Sequence, residues 1–348
     1  MLVEQVESKW VDCFRRVFRM CEVNPGDRVA ILSETLSRQI NVKLAELALL
    51  DLGAAVFHVV VPTPPLKDPV AVRSTGSSPA IQANESVIAA LRSSAMVVDC
   101  TIEGLLHARE LKEILSEGAR LMMISNEHPE ILERLMPDPA LQKKVALGVD
   151  MLANARQMRV RSAAGTDLTI DLTDAPARGS AGFVTDPGKV SYWPGGLCLC
   201  FPRRHSVNGT VVLDVGDVNL TFKRYLESRI VLTIEDDFVV DISGDGLDAE
   251  LMKSYFAAWN DSNAYGVSHV GWGMNPAARW DSLVMFDKND TNGTELRAFA
   301  GNFLISTGAN EHAGRYTNGH FDLPLRHCDI ELDDKLIVSQ GCLQEPLA

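Results

Sequence analysis

Three residues beyond position 268 have the types and spacing to hold a metal ion. Read as a strand, Gly319-His320-Phe321-Asp322-Leu323-Pro324-Leu325-Arg326 puts Phe321, Leu323 and Leu325 on one face and His320, Asp322 and Arg326 on the other. One face packs while the other presents an imidazole and a carboxylate two residues apart, which is a His-x-Asp metal pair. The pattern is weak by itself, because a half-exposed strand with polar residues toward water reads the same way. His269 lies in Tyr265-Gly-Val-Ser-His269-Val-Gly-Trp-Gly273. There it is either a satisfied core histidine or a ligand in a dry pocket, and the flanking glycines favour the second, since they let backbone approach closely. Two imidazoles and one carboxylate leave positions open on the metal. The set suits non-haem Fe(II) working on dioxygen, and zinc could use the same groups to activate water.

The elements that must position these groups change character along the chain. An amphipathic helix over Val6 to Met20 precedes the turn Asn24-Pro25-Gly26-Asp27 and the apolar run Arg28 to Leu32. A helix over Arg38 to Leu52 stops at Gly53, and Ala55 to Val61 is β-branched and nearly continuous, as expected of a strand covered on both faces. The cycle continues with a helix near Val87 to Ser93, a strand over Ala95 to Asp99, a helix near Ala108 to Ser116 and a strand over Arg120 to Ile124. A long helix from Ala140 to Arg156 closes it. This alternation predicts an α/β domain with a parallel sheet over residues 1–157. From Met158 the pattern becomes strands broken by turns: a hairpin of Met158–Ser162 and Asp167–Asp171, strands over Thr210–Asp214, Arg229–Glu235 and Phe238–Ile242, and a helix over Ala249–Trp259. Residues 158–348 therefore read as a mainly antiparallel α+β domain that carries the metal site. Leu32-Ser33-Glu34-Thr35 has no glycine, which argues against a dinucleotide at the first strand.

Composition narrows the function classes. Lys and Arg number 33 against 46 Asp and Glu, a net charge of −13, and no basic block breaks the acidic balance, so nucleic acid is excluded as the main partner. No apolar run is long enough for a membrane span, and the acidic Met1–Glu7 start does not read as an export signal. Seven cysteines without a CxxC read as reduced cytoplasmic thiols, which makes the sequons at Asn84, Asn208, Asn219 and Asn292 accidental.

Several of these segments together resemble the 2,5-dihydroxypyridine 5,6-dioxygenases, ring-opening enzymes of bacterial nicotinate and nicotine breakdown. The likeness rests on Gly-Val-Ser-His269-Val-Gly-Trp-Gly, Arg297-Ala-Phe-Ala-Gly-Asn302-Phe-Leu-Ile-Ser306 and Gly-His320-Phe-Asp322-Leu-Pro-Leu-Arg-His-Cys-Asp-Ile. It extends through Val97-Val-Asp99, Leu105-Leu106-His107, Trp193-Pro-Gly-Gly, Val212-Leu-Asp-Val-Gly-Asp217 and Asp333-Asp-Lys335, in order over nearly the whole chain. More distantly, the chain looks like the thermophilic metallo-aminopeptidases. The resemblance implies Fe(II) on His269, His320 and Asp322, O2 as co-substrate, and cleavage of the 5,6 bond of a hydroxypyridine to N-formylmaleamate. It implies His107 as the base, with Leu106, Arg297 and Ser306 at the substrate, in a cytoplasmic homo-oligomer. The peptidase pattern has Gly-Glu where this chain has Ser268-His269, which argues against a dizinc site. One departure stands out: the family has His immediately before Trp-Pro, and this chain has Tyr192. A phenol is a poor base at neutral pH, so either the acid/base scheme differs or the substrate is a related hydroxylated ring. A zinc aminopeptidase-like hydrolase is the competing class.

Overall fold

The computed structural model describes residues 5–66 and 76–348. Met1–Glu4, part of the acidic start, lies outside them. The first half is built as its alternation predicts. Five parallel strands lie in the spatial order Ala55–Val61, Arg28–Glu34, Met96–Asp99, Arg120–Ile124 and Val190–Trp193. Helices cover both faces, and strand residues divide between them by parity. Val29 and Ile31 pack with Phe14, Phe18 and Trp193, whereas Ala30 and Leu32 pack with Ile88, Leu91 and Leu105. The opening helix, Ser8–Met20, buries Trp10, Cys13, Phe14, Val17 and Phe18. That is the spacing of one helical face, and each large side chain withdrawn from water is worth roughly 1.5–3 kcal/mol.

Three expectations change here. Ala55–Val61 is not covered on both faces: it is the edge strand of the parallel sheet, and only Val61 of its seven residues is buried. The parallel sheet does not end with residue 157: its last strand, Val190–Trp193, comes from beyond the long helix Pro139–Asn154. Four residues give too short a period to read, and what holds the strand is burial of Trp193, which meets Phe14 edge-on at 5.0 Å and donates Nε1–H to the Leu135 carbonyl. The helix expected over Ala108–Ser116 is a single turn, Leu111–Ile114. The residues before it form a loop that delivers His107.

The second half stacks two antiparallel sheets. Eight strands run in the order Phe238–Ser243, Ile230–Glu235, Val207–Leu213, Asp167–Asp171, Gln157–Ser162, Cys328–Leu332, Lys335–Ser339 and Cys342–Leu343. The hairpin of Gln157–Ser162 and Asp167–Asp171 is the one read from the sequence. Five strands form the other sheet, in the order Arg315–Leu325, Phe303–Asn310, Val267–Gly273, Leu197–Cys200 and Ala177–Ser180. Their shared core includes Val211, Leu232, Val270 and Phe321. Phe256, from the helix Leu247–Ala258, stacks on Phe321 at 5.6 Å with only 8° between the rings. The seven cysteines are free, six of them buried. No helix among the described residues is long and apolar enough to cross a membrane.

Candidate active site

The five-stranded sheet fixes the candidate ligands by register. Ser306 pairs with Asp322 and Gly308 with His320, so both groups of the His-x-Asp pair leave the same face. His269 reaches that face because the ladder slips by one residue. Val267 pairs with Thr307, Ser268 is extra, and His269 then pairs with Ser306. Had pairing stayed in step, Ser268 would oppose Ser306 and His269 would point the other way. The bulge is held by Ser268, which donates to the Ala309 carbonyl, and by Gly308 N–H to Gly266 O at 2.7 Å.

On this face His320 Nε2 lies 3.3 Å from Asp322 Oδ1 and His269 Nε2 lies 3.7 Å from the same oxygen, with all three residues buried. His107, His269 and His320 form a second cluster whose ligand atoms lie within 4.8 Å of one another. The edge between His269 and His320 is thus shared by two triangles, one closed by Asp322 and one by His107. The Asp322 triangle includes a carboxylate at 3.3 and 3.7 Å from the two imidazole nitrogens, whereas the three-histidine cluster has no charged donor of its own. His107 comes from the other half of the chain and faces the same space. Its ring centroid is 5.1 Å from that of His320, and it is stacked at 6.1 Å and 9° on His269.

The surroundings hold His269 and His107 as neutral imidazoles and Asp322 as an ionised carboxylate, the forms in which such groups bind a metal. Burial pushes His269 down to about 4, against the pull of Asp322. Burial, reinforced by His320 and His269, pushes His107 down to about 3. Burial works to raise the Asp322 pKa, but Arg297 and the two imidazoles outweigh it and hold the carboxyl well below the usual range. His269 Nδ1 is buried without a hydrogen-bond partner.

A cleft of about 1060 Å³ opens onto the site, and His107, Leu106, His320, Phe201 and Arg178 are on its walls. Phe201 meets the His269 ring edge-on at 5.8 Å. Arg297 and Ser306, expected at the substrate, both donate to Asp322: Arg297 Nε–H reaches Oδ2 at 2.5 Å, and the Ser306 hydroxyl bonds Oδ1. Tyr192 is half-buried and packs with Leu106 against the apolar cluster of Leu105 and Met123. Burial pushes its phenol pKa well up, an effect that Arg297 opposes and Asp322 adds to, so it remains protonated, able to offer a hydrogen bond but not to act as a phenolate base. Sequence reading missed Glu127, whose carboxylate accepts the N–H groups of Asn292, Gly293 and Thr294 at 2.7, 3.0 and 3.0 Å. Nothing in its neighbourhood in the chain signals partners that distant in sequence.

Comparison with known proteins adds to this geometry. A family model described as 2,5-dihydroxypyridine 5,6-dioxygenase matches residues 9–345. A Pseudomonas putida 2,5-dihydroxypyridine 5,6-dioxygenase is 38% identical over 339 residues, covering 96% of this chain and 95% of that protein. The solved structure of the 2,5-dihydroxypyridine dioxygenase of Pseudomonas putida superposes with a TM-score of 0.93 at 36% identity, covering 99% of both chains. Wild-type AmpT from Thermus thermophilus superposes with a TM-score of 0.64 at 14% identity, over 97% of this chain and 99% of that one. This is a likeness of fold alone, and it agrees with the distant resemblance to thermophilic aminopeptidases.

Proposed function

The chain belongs to the 2,5-dihydroxypyridine 5,6-dioxygenase family, and from that premise we propose that it opens the 5,6 bond of 2,5-dihydroxypyridine with O2, giving N-formylmaleamate, by means of one Fe(II) held by His269, His320 and Asp322. The observation that carries the reading is the convergence of those three donors on one sheet face, with His107 opposite them at the cleft. A single carboxylate among the converging donors fits one divalent cation, whereas a dizinc site calls for more. Bound iron would supply the one-electron chemistry that dioxygen requires.

The protein groups have separable tasks in this reading. His107, neutral at physiological pH, takes the proton of a ring hydroxyl, a role usually worth about 10² to 10⁴-fold in rate. Arg297 and Ser306 fix both oxygens of Asp322, so that one face of the carboxylate stays aimed at the cation. Leu106 and Phe201 line the ring's path and keep water away from the donors. Tyr192 supplies a hydrogen bond or a wall where the family has an imidazole. The cytoplasmic homo-oligomer expected from the resemblance belongs to the same proposal, and light scattering on purified protein tests the assembly.

Anaerobic loading with Fe(II), followed by an oxygen-electrode trace with 2,5-dihydroxypyridine and the product mass, tests the function. The expected product carries the substrate's atoms plus both atoms of O2. Absence of oxygen uptake, together with zinc-dependent release of amino acids from peptides, would overturn the proposal in favour of a hydrolase.

A further inference from the structure

Arg297 rides on a short helix, Thr294–Ala298, that is held from both halves: Arg279 N–H and Asn275 N–H, from its own half, reach Glu295 Oε1 and the Ala298 carbonyl at 2.7 and 2.9 Å, while the parallel-sheet half grips its start. The Glu127 carboxylate accepts three successive N–H groups at its start, from Asn292, Gly293 and Thr294. Ser125 adds hydroxyl contacts to Thr294 at 2.6 Å and to the Asn292 amide at 2.8 Å. Arg134 forks onto both oxygens of Glu295 at 2.6 and 2.7 Å. At the other end Asn302 donates to the Arg297 carbonyl at 2.9 Å. The side chain that leaves this helix reaches Asp322.

A carboxylate buried as completely as Glu127, which is 0% exposed, is costly unless its lone pairs are filled. Here they are filled by backbone donors of a helix whose other function is to aim one guanidinium. We propose that Glu127 is a positioning residue for the metal ligand Asp322, acting through the Thr294–Ala298 helix and Arg297. The parallel-sheet half thereby sets the ligand geometry of the antiparallel half. The inference rests on the reading of His269, His320 and Asp322 as the ligand set.

The test is a double-mutant cycle on metal affinity, measured as Co(II) or Fe(II) dissociation constants by anaerobic titration against a chromophoric chelator, with the visible bands of the Co(II) form as a second readout. Glu127→Gln keeps one acceptor oxygen for the helix but turns an amide toward the Asn292 N–H. It should weaken metal binding about tenfold, within the range for groups behind a ligand, and alter the Co(II) bands. In an Arg297→Met background the same change should add less than twofold, because the route to Asp322 is already cut. Ser125→Ala, a milder loosening of the same helix, should give a smaller shift and serves if Glu127→Gln does not fold. Full additivity of Glu127→Gln and Arg297→Met overturns the proposal. So does unchanged affinity in both Glu127→Gln and Ser125→Ala while Asp322→Ala abolishes binding. Unchanged affinity in Asp322→Ala itself would instead overturn the underlying ligand assignment.

Discussion

Gly76 offers a way to move His107 without touching any candidate ligand. Its φ is +62°, its carbonyl accepts the His107 N–H at 3.0 Å, and a Cβ built on it would lie 2.8 Å from His107 Cδ2 and 3.6 Å from Nε2. Ordinary contact begins near 3.4 Å, so in Gly76→Ala the imidazole must retreat by about 0.6 Å or more. A displacement of about 1 Å at a reacting group is worth roughly 100-fold in rate, which places this shift at about tenfold. Complete removal in His107→Ala sets the ceiling, at about 10² to 10⁴-fold. The left-handed backbone adds a stability cost of about 1–2 kcal/mol for a residue with a Cβ. Steady-state oxygen uptake with Fe(II)-loaded enzyme should therefore show kcat lowered about tenfold. Metal affinity, titrated separately, should match the wild type, because the Asp322 triangle is untouched. A kcat within twofold of wild type would refute the role of His107 as base. A parallel tenfold loss of metal affinity would refute the choice of Asp322 over His107 as the third ligand.

Three further outcomes follow from other contacts. Arg297→Met should weaken metal binding about 10- to 100-fold by releasing Asp322 Oδ2, and Arg297→Lys should recover only part, since an ammonium lacks the planar fork; chelator competition measures both. Tyr192→Phe should lower kcat/KM for 2,5-dihydroxypyridine by about 5- to 10-fold if the phenol donates to the substrate, and equal kcat/KM in the two enzymes would make it a wall only. Asp99 gives a pH signature in stability. Burial, partly offset by bonds from Thr101, raises its pKa to about 6, above an unfolded value near 3.9. The native state thus holds a proton the unfolded chain has released, and this contribution is complete below about pH 4 and lost as pH rises through about 6. Asp99→Asn should flatten that fall, worth about 2–3 kcal/mol, in urea titrations taken at pH 4 and pH 7.

How far the site can be read from residues alone depends on where strand parity holds. His320 and Asp322 are legible as a pair because their strand is regular there and alternation fixes their common face. The direction of His269 is not legible, because it depends on the extra residue at Ser268, and a bulge leaves no mark in apolar periodicity. The parallel strands show themselves as continuous apolar runs, yet Val190–Trp193 escapes because four residues have no period and its hold comes from Trp193 in a distant core. The contacts of Arg297 and Ser306 with Asp322 are set by cross-strand register and by a helix anchored 165 or more residues away in the chain, at Glu127. Such contacts are tertiary, and no local pattern encodes them.

The proposed ligands and the proposed proton-handling groups stand on different kinds of support. His269 rides on a strand paired on both sides, and His320 and Asp322 on the edge strand beside Phe303–Asn310, where cross-strand register fixes each residue's height and face. His107, Leu106 and Tyr192 come from a loop and from the last strand of the other sheet. Substitutions in the cleft loop or at Tyr192 can therefore accumulate without touching the strand ladder, as long as the Glu127 anchor of the Thr294–Ala298 helix is kept. Tyr192, where the resemblance leads one to expect histidine, lies on the parallel-sheet side. A lineage with this architecture can inherit its metal chemistry unchanged while the ring it accepts drifts, and collections of natural variants should show diversity gathering around the cleft loop while the sheet ladder stays still.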